Sequence, residues 1–222
     1  GGWLLGMAVE KLALRRLIGQ PLMGSVMATL ALSILLTGIG LVIWGSYFMA
    51  FPTAIFPTEA IGIHGVTTSG TLLGSFILAM LCFGAFTLFF RRPGMGLAMR
   101  AVAEEHEVAR SSGIRVTSVF STTWAIAGVL CAIAGVCLGD MLALGMTQLP
   151  VVALKAFPAV LLGGLDSIPG VIVGGLIIGL VEMLSAGYIV STAGDIAPWI
   201  VLMIVLMIRP EGLWGLKRIE RI

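Results

Sequence analysis

Apolar residues fill this chain in long runs that carry almost no charge. A helix needs about 20 mostly apolar residues to cross the hydrocarbon core of a membrane. Four runs have this length, at residues 22–44, 71–90, 117–138 and 168–187. Residues 45–69, between the first two runs, contain proline, glycine and polar residues, which is typical of a segment outside the membrane. The pattern predicts a chain that crosses a membrane several times.

Two shorter apolar runs add to this pattern. Residues 1–9 are expected to be the end of a membrane helix whose start is missing from the chain. Residues 195–208 are expected to be a short span, with Asp195 capping its outer end and Pro198 in its first turn. The sequence therefore predicts an all-α polytopic transmembrane bundle of about six membrane segments plus an N-terminal helix stub.

Residues 149–164 are the least regular apolar segment, because the run is short and contains Lys155 and Pro158. We expect a broken or re-entrant helix here, since transporters build substrate sites from interrupted helices that line wet cavities. The alternative is a short span kinked at Pro158, with Lys155 extending its ammonium group to the interface.

Composition places these runs in lipid rather than in a soluble core. Hydrophobic residues make up 59% of the chain and charged residues 11%, which is neither a soluble nor a disordered composition. The basic residues other than Lys155 gather between the apolar runs, as in loops on the cytoplasmic side of a membrane. Acidic residues within the largest cluster argue against nucleic-acid binding. The clusters are Lys11, Arg15 and Arg16; Arg91, Arg92, Arg100, Arg110 and Arg115; and Arg209, Lys217, Arg218 and Arg221.

The clusters constrain the number of crossings. The run at 117–138 leads outward to Asp140, and the chain must return to Arg209 on the cytoplasmic side. This return needs an odd number of passes, so residues 149–164 must cross the membrane or dip deeply into it.

Hydroxyl residues recur every four positions in the first long run, at Ser25, Thr29, Ser33 and Thr37. Residues four apart lie nearly on one face of a helix, and lipid does not favour such a polar stripe. The stripe is interpreted either as a close packing face with hydroxyls bonded to the backbone or as the lining of a translocation pathway, through Ser33 and Thr37.

The run at 168–187 combines small residues with one carboxylate, Glu182. A carboxylate within a span is unfavourable unless it meets a partner or water, so Glu182 is a candidate pathway residue with Lys155 as its possible partner. The alternative is that Glu182 lies near the outer interface and is hydrated. Two GxxxG pairs predict close packing with neighbouring helices, Gly170 with Gly174 and Gly175 with Gly179.

Residues 163–170, GGLDSIPG, predict a turn-rich hinge before this run. Asp166 or Ser167 can cap the helix that follows, with Pro169 in its first turn. Asp166 is also a candidate for gating the pathway.

Sequence motifs for catalysis are missing. The chain contains no GxxxxGK[ST] phosphate loop, no HExxH and no GxSxG sequence, and its three cysteines form no CxxC pair. We therefore expect no enzyme activity, no metal and no bound cofactor. Energy for transport must come from an ion gradient or from another protein.

The charged segment 91–115 is expected to form one or two short amphipathic helices on the cytoplasmic surface. Good helix formers fill residues 97–110, and Gly113 is placed to end the helix in a left-handed conformation, with Ile114 closing it hydrophobically. The predicted apolar face consists of Ala98, Ala101, Val102, Val108 and Ala109.

This segment resembles the coupling loop of ATP-binding-cassette importer permeases. Residues 107–113, EVARSSG, are similar to their E-A-A-x-x-x-G motif, with Val108 in place of the first alanine. Four ordered stretches, VEKLALRRLIGQ, GLAMRAVAEEHEVARSSGI, KAFPAVLLGGLDSIPGVIVGGLIIGLVE and RPEGLWG, resemble the branched-chain amino acid permease family. The resemblance covers nearly the whole chain.

The resemblance implies a single transmembrane permease domain over residues 1–222 of a bacterial inner-membrane importer, with loop 91–115 and the C-terminus in the cytoplasm. It implies a second permease subunit, two ATPase subunits that bind ATP and Mg²⁺, and a periplasmic binding protein. The residues implied in ATPase coupling are Glu104, Glu105, Glu107, Ala109 and Gly113. Urea or short amides are the alternative substrates, and a gradient-driven secondary transporter or a channel is the alternative class.

Overall fold

The computed structural model describes residues 1–15, 22–48, 51–63, 66–142 and 145–215. Arg16, the side chain of Ser25, and Lys217, Arg218 and Arg221 lie outside this description. The helices are α1 (Gly2–Val9), α2 (Leu22–Trp44), α3 (Gly70–Arg91), α4 (Met95–Glu104), α5 (His106–Ser111), α6 (Val116–Met141), α7 (Leu149–Gly163), α8 (Ile168–Tyr188) and α9 (Ala193–Ile208). A π-helical turn, Glu10–Leu14, follows α1 directly.

Within the described residues, four helices are long and apolar enough to cross a membrane. They are Val26–Trp44 within α2, together with α3, α6 and α8. Two further apolar helices, α7 and α9, are shorter, with 15 and 16 residues. The prediction of an all-α polytopic bundle with about six membrane segments is confirmed.

A small hairpin occupies part of the predicted outer segment. Strand β1 (Ala60–Ile63) pairs antiparallel with strand β2 (Val66–Ser69), and Ala60 lies opposite Ser69. The hairpin leads directly into α3. Asp140, in the last turn of α6, accepts hydrogen bonds from the backbone N–H groups of Ile55 and Phe56 at 2.8 and 3.2 Å. This carboxylate therefore holds the segment before the hairpin.

The chain divides into two compact units, Gly1–Gln148 and Leu149–Ile222. In the first unit, α1 runs antiparallel to α6 at very short range. Gly2 and Gly6 lie against the α6 backbone near Gly128 and Trp124, where a Cβ atom on either glycine would overlap main-chain atoms. Because glycine has no side chain, the backbones of α1 and α6 can approach each other closely.

The second unit is an antiparallel arrangement of α7, α8 and α9 around buried Leu162, Ile178 and Leu202. The segment after α9 returns to α7, because the Leu213 N–H group donates to the Leu162 carbonyl at 2.9 Å. Three consecutive helices thus lie between residue 149 and Arg209.

Two expectations for this unit are wrong and one is confirmed. Helix α7 is continuous from Leu149 to Gly163 with Pro158 inside it, so the segment predicted as a broken or re-entrant helix contains no break. Asp195 does not cap α9, which begins two residues earlier, and Pro198 lies inside that helix. Ser167 does cap α8, where its Oγ atom accepts a hydrogen bond from the Gly170 N–H group at 3.1 Å.

Candidate functional site

The charged loop, residues 91–115, forms the two helices α4 and α5, which pack on the start of α6. Met99 and Val102 of α4, Ala109 of α5 and Val119 of α6 are each at most 8% exposed and form one apolar cluster. Ile114, just before α6, packs against the same cluster. Burial of this face fixes both short helices, which would be only marginally stable in isolation.

Polar and aromatic contacts connect the loop to the neighbouring helices. Arg100 of α4 makes long hydrogen bonds to the carbonyl groups of Gly96 and Phe90, at 3.4 and 3.5 Å. Its guanidinium carbon lies 5.5 Å from the centroid of the Phe90 ring, within the range of a cation–π interaction. His106 of α5 contacts Phe120 of α6, with 5.6 Å between the ring centroids. The loop is therefore held at the end of α3 and at the start of α6.

Gly113 ends α5 in the predicted left-handed conformation, with φ of +83°. The Gly113 N–H group donates to the Arg110 carbonyl, and the Ile114 N–H group donates to the Ala109 carbonyl, both at 3.1 Å. These two hydrogen bonds, together with the hydrophobic contact of the residue after the glycine, form a Schellman motif. The predicted helix end is confirmed.

The opposite face of the loop is open and acidic. Glu104, Glu105 and Glu107 are exposed around the junction of α4 and α5. Val108 is 61% exposed, so its predicted place on the buried face is wrong. A cleft of about 500 Å³ beside this face is lined by His106, Glu107, Arg110, Gly113, Ile114, Arg115, Val116 and Thr117. The loop thus exposes carboxylates and the apolar side chains of Leu97 and Val108, while Ala109 is buried inside the chain.

A second polar cluster lies within the α7–α9 unit. The Lys155 Nζ atom lies 2.8 Å from Glu182 Oε1 and 2.7 Å from Asp195 Oδ1. One cation therefore bridges two carboxylates from two helices. We call Lys155, Glu182 and Asp195 the charged triad. The triad is only partly buried, with 39% of the Lys155 side chain exposed.

The triad joins the middle of α7 to the far end of α8 and the first turn of α9. Glu182 precedes the end of α8 by six residues, which is about 9 Å along the helix axis. Gly194 allows the start of α9 to approach this part of α8, where a Cβ atom would lie 3.2 Å from the Glu182 carbonyl oxygen. This close approach brings Asp195 within reach of Lys155.

The remaining pathway candidates are scattered. Pro158 is buried within α7, whereas Asp166 is exposed in the turn before α8. Ser33 is exposed on α2, and the Thr37 hydroxyl donates to the Ser33 carbonyl at 2.9 Å. The stripe hydroxyl at Thr29 also bonds to its own helix. Backbone bonding of these hydroxyls is the arrangement expected of a packing stripe.

The two GxxxG pairs of α8 have different surroundings. Gly170 and Gly174 lie against Gly163 and Ala159 of α7, so the first pair packs two helices closely. Around Gly175 and Gly179, no described residue would come within 4 Å of an added Cβ atom. The second pair therefore presents an open small-residue face within its unit.

Three carboxylates with long-range partners were not identified from the sequence. Asp195 was interpreted as a helix cap, Asp140 as the end of a span, and Glu10 received no role. Glu10 is 2% exposed, and its Oε2 atom accepts a 2.7 Å hydrogen bond from the Ser121 hydroxyl. The only sequence signal for these residues is that each is a single acidic residue at the end of an apolar run.

Comparison with known proteins extends the resemblance seen in the loop motif. A family profile described as "Branched-chain amino acid transport system / permease component" matches residues 2–208. The high-affinity branched-chain amino acid transport system permease protein LivH of Escherichia coli K12 is 30% identical over 223 residues, covering 98% of this chain and 72% of LivH. BraD of Pseudomonas aeruginosa, with the same description, is 30% identical and has the same coverage.

A more distant relative is the probable branched-chain amino acid transport permease protein LivH of Methanocaldococcus jannaschii. It is 28% identical, covering all of this chain and 74% of the relative. A search of solved structures found no significant match. The profile match over most of the chain and the two relatives at 30% identity confirm the predicted family. The chain is a multi-pass membrane protein that belongs to the permease component family of branched-chain amino acid transport systems.

Proposed function

We propose that this chain is the membrane-spanning subunit of an ATP-binding-cassette importer that carries branched-chain amino acids delivered by a periplasmic binding protein. The observation that supports this function best is the charged loop. Its two helices are fixed to α3 and α6 by one face and present an acidic face outward. A helix pair that is held in place by its buried face and exposes a polar face can bind in a groove on another protein.

The outward face is the docking surface for an ATPase subunit. Glu104, Glu105 and Glu107 provide charged contacts, and the exposed Val108 provides an apolar one. Ala109 contributes indirectly, because its small side chain allows α5 to lie against α4 and α6. Gly113 contributes through the left-handed turn that connects α5 to α6.

The complete transporter contains a second permease subunit and two ATPase subunits. ATP and Mg²⁺ bind to the ATPase subunits, and this chain holds no cofactor. The loop and the C-terminus face the cytoplasm, because the basic clusters of the chain include both segments. In this orientation, residues 189–192, between α8 and α9, lie on the side from which the binding protein delivers substrate.

The charged triad is part of the translocation pathway. An amino acid carries one ammonium and one carboxylate group, and the triad contains groups of both signs within hydrogen-bonding distance. A substrate can exchange with these contacts one at a time, so no charge is left unpaired within the membrane. Asp166, Pro158, Ser33 and Thr37 are the further pathway candidates.

Uptake into proteoliposomes tests the function. The chain is reconstituted with its partner subunits and the binding protein, with ATP enclosed with the ATPase subunits. We expect leucine accumulation that requires ATP and is inhibited by isoleucine and valine but not by urea. Leucine uptake driven by an ion gradient without ATP would instead identify a secondary transporter. Preferential uptake of urea would identify the alternative substrate class.

A further inference from the structure

We propose that Glu10 is a positioning residue that locks α1 to α6, so that both helices move as one body when the charged loop is displaced. This inference rests on the proposed function of the loop. Glu10 has no part in the docking surface or in the charged triad. Its carboxylate lies at the end of α1, in the interface with α6.

The carboxylate is enclosed and specifically bonded. Glu10 is 2% exposed, and one of its oxygens, Oε2, accepts a 2.7 Å hydrogen bond from the Ser121 hydroxyl. The other oxygen, Oε1, lies 3.8 Å from Arg15 Nε and accepts no hydrogen bond from any described residue. Burial of a carboxylate is unfavourable unless it is paired and hydrogen-bonded, so the bond to Ser121 and the charge of Arg15 favour this one position of α1 on α6.

The backbone around Glu10 reinforces this lock. The Arg15 N–H group donates to the Glu10 carbonyl, which forms the wide π-helical turn that begins at Glu10. Such turns are rare and are often found at functional sites. On the other side of Glu10, Gly6 lies directly against the α6 backbone at Trp124. Close backbone packing and a buried polar bond thus act at successive turns of the same interface.

The contact between Glu10 and Ser121 lies next to the charged loop. Helix α6 begins at Val116, directly after the loop, and Ser121 lies about 8 Å further along its axis. A displacement of α4 and α5 is transmitted first to this part of α6, because the apolar cluster of the loop includes Val119. Glu10 then transmits the displacement to α1.

The coupling ratio tests this inference, measured as leucine transported per ATP hydrolysed in proteoliposomes of the complete transporter. Replacing Glu10 with alanine is expected to lower this ratio by about tenfold. Loss of a hydrogen bond to a charged group changes an equilibrium constant by about tenfold or more, and we expect the ratio to change by the lower end of this range. Ser121→Ala is expected to lower the ratio similarly, and Ser121→Thr to retain it. Glu10→Gln keeps an acceptor for the Ser121 hydroxyl and should give an intermediate ratio.

Thr122→Ala is the matched control, because the Thr122 hydroxyl bonds only to the carbonyl of Ser118 in its own helix, at 2.9 Å. Its ratio should equal that of the wild type. An unchanged ratio in both Glu10→Ala and Ser121→Ala would overturn the inference, as would an equal loss in Thr122→Ala. If Glu10→Ala does not assemble, the comparison of Ser121→Ala with Ser121→Thr decides the matter.

A cross-link tests whether the two helices stay together during transport. Glu10→Cys and Ser121→Cys are combined in a chain whose native cysteines, Cys82, Cys131 and Cys137, are replaced by alanine. Bridging with a short reducible thiol reagent should restore the ratio lost in the unbridged double variant. Loss of transport on bridging, reversed by reduction, would show that the helices must separate and would refute the lock. Wild-type proteoliposomes that show no ATP-dependent leucine uptake would instead refute the proposed function.

Discussion

At the scale of single residues, the charged triad explains how charge is tolerated in an apolar helix unit. Lys155 is the one basic residue outside the basic clusters of the sequence, and it contacts two carboxylates at 2.7 and 2.8 Å. Each carboxylate has this cation as its salt-bridge partner among the described residues. Removal of the cation therefore affects more contacts than removal of either carboxylate.

Replacement of Lys155 by methionine should destabilise the chain more than Glu182→Gln. Lys155→Met leaves two like charges without their cation, whereas Glu182→Gln leaves the contact between Lys155 and Asp195. The triad is partly exposed, so we expect a loss of about 1 kcal/mol for Lys155→Met and less for Glu182→Gln. Thermal unfolding in detergent measures both variants, and the reverse order would contradict the arrangement.

Replacement of Gly113 tests the left-handed turn after α5. Gly113→Ala should cost about 1 kcal/mol in unfolding free energy, because φ of +83° is unfavourable for a residue with a Cβ atom. Gly113→Asn should cost less, because asparagine tolerates this conformation. No described atom lies within 4 Å of an added Cβ atom, so steric overlap should not contribute. Equal destabilisation by both variants in thermal unfolding would refute this explanation.

At the scale of elements, the helices follow from the sequence because each has a local cause. The lengths of the apolar runs determine the membrane-spanning helices. Ser167 marks the start of α8 and Gly113 the end of α5, each through hydrogen bonds within a few residues. Helix α7 is continuous, whereas the prediction was a broken or re-entrant helix. Pro158 removes one backbone hydrogen bond, but packing of α7 against α8 compensates for this loss. Gly163 and Ala159 of α7 provide that packing surface.

The two glycine pairs of α8 should therefore respond differently to the same substitution. Gly174→Leu places its side chain against the backbone of α7 and should destabilise the chain by about 1–3 kcal/mol or prevent folding. Gly175→Leu is the matched control, because that side chain enters open space in its unit. Folded yield and thermal unfolding measure both variants. Greater damage from Gly175→Leu would contradict the packing of α7 on α8.

At the scale of the whole molecule, contacts between distant residues were beyond prediction from the sequence. Asp195, Asp140 and Glu10 find partners 40, 84–85 and 111 positions away, and nothing local specifies those pairs. The possible contact of Lys155 with Glu182 was identified only because charges are scarce in apolar runs. Family membership agrees with the motif in the charged loop, and under the proposed function this loop connects the membrane helices to the ATPase that supplies energy.

Cross-linking from the charged loop tests this connection most directly. A cysteine at Val108, on the outward face, should cross-link to the ATPase subunit in membranes containing the complete transporter. A cysteine at Thr53, exposed in the outer segment, is the matched control and should not react with that subunit. Native cysteines are replaced by alanine in both variants. Cross-linking to the ATPase subunit from Val108 alone is the predicted result, and cross-linking from Thr53 but not from Val108 would contradict the account.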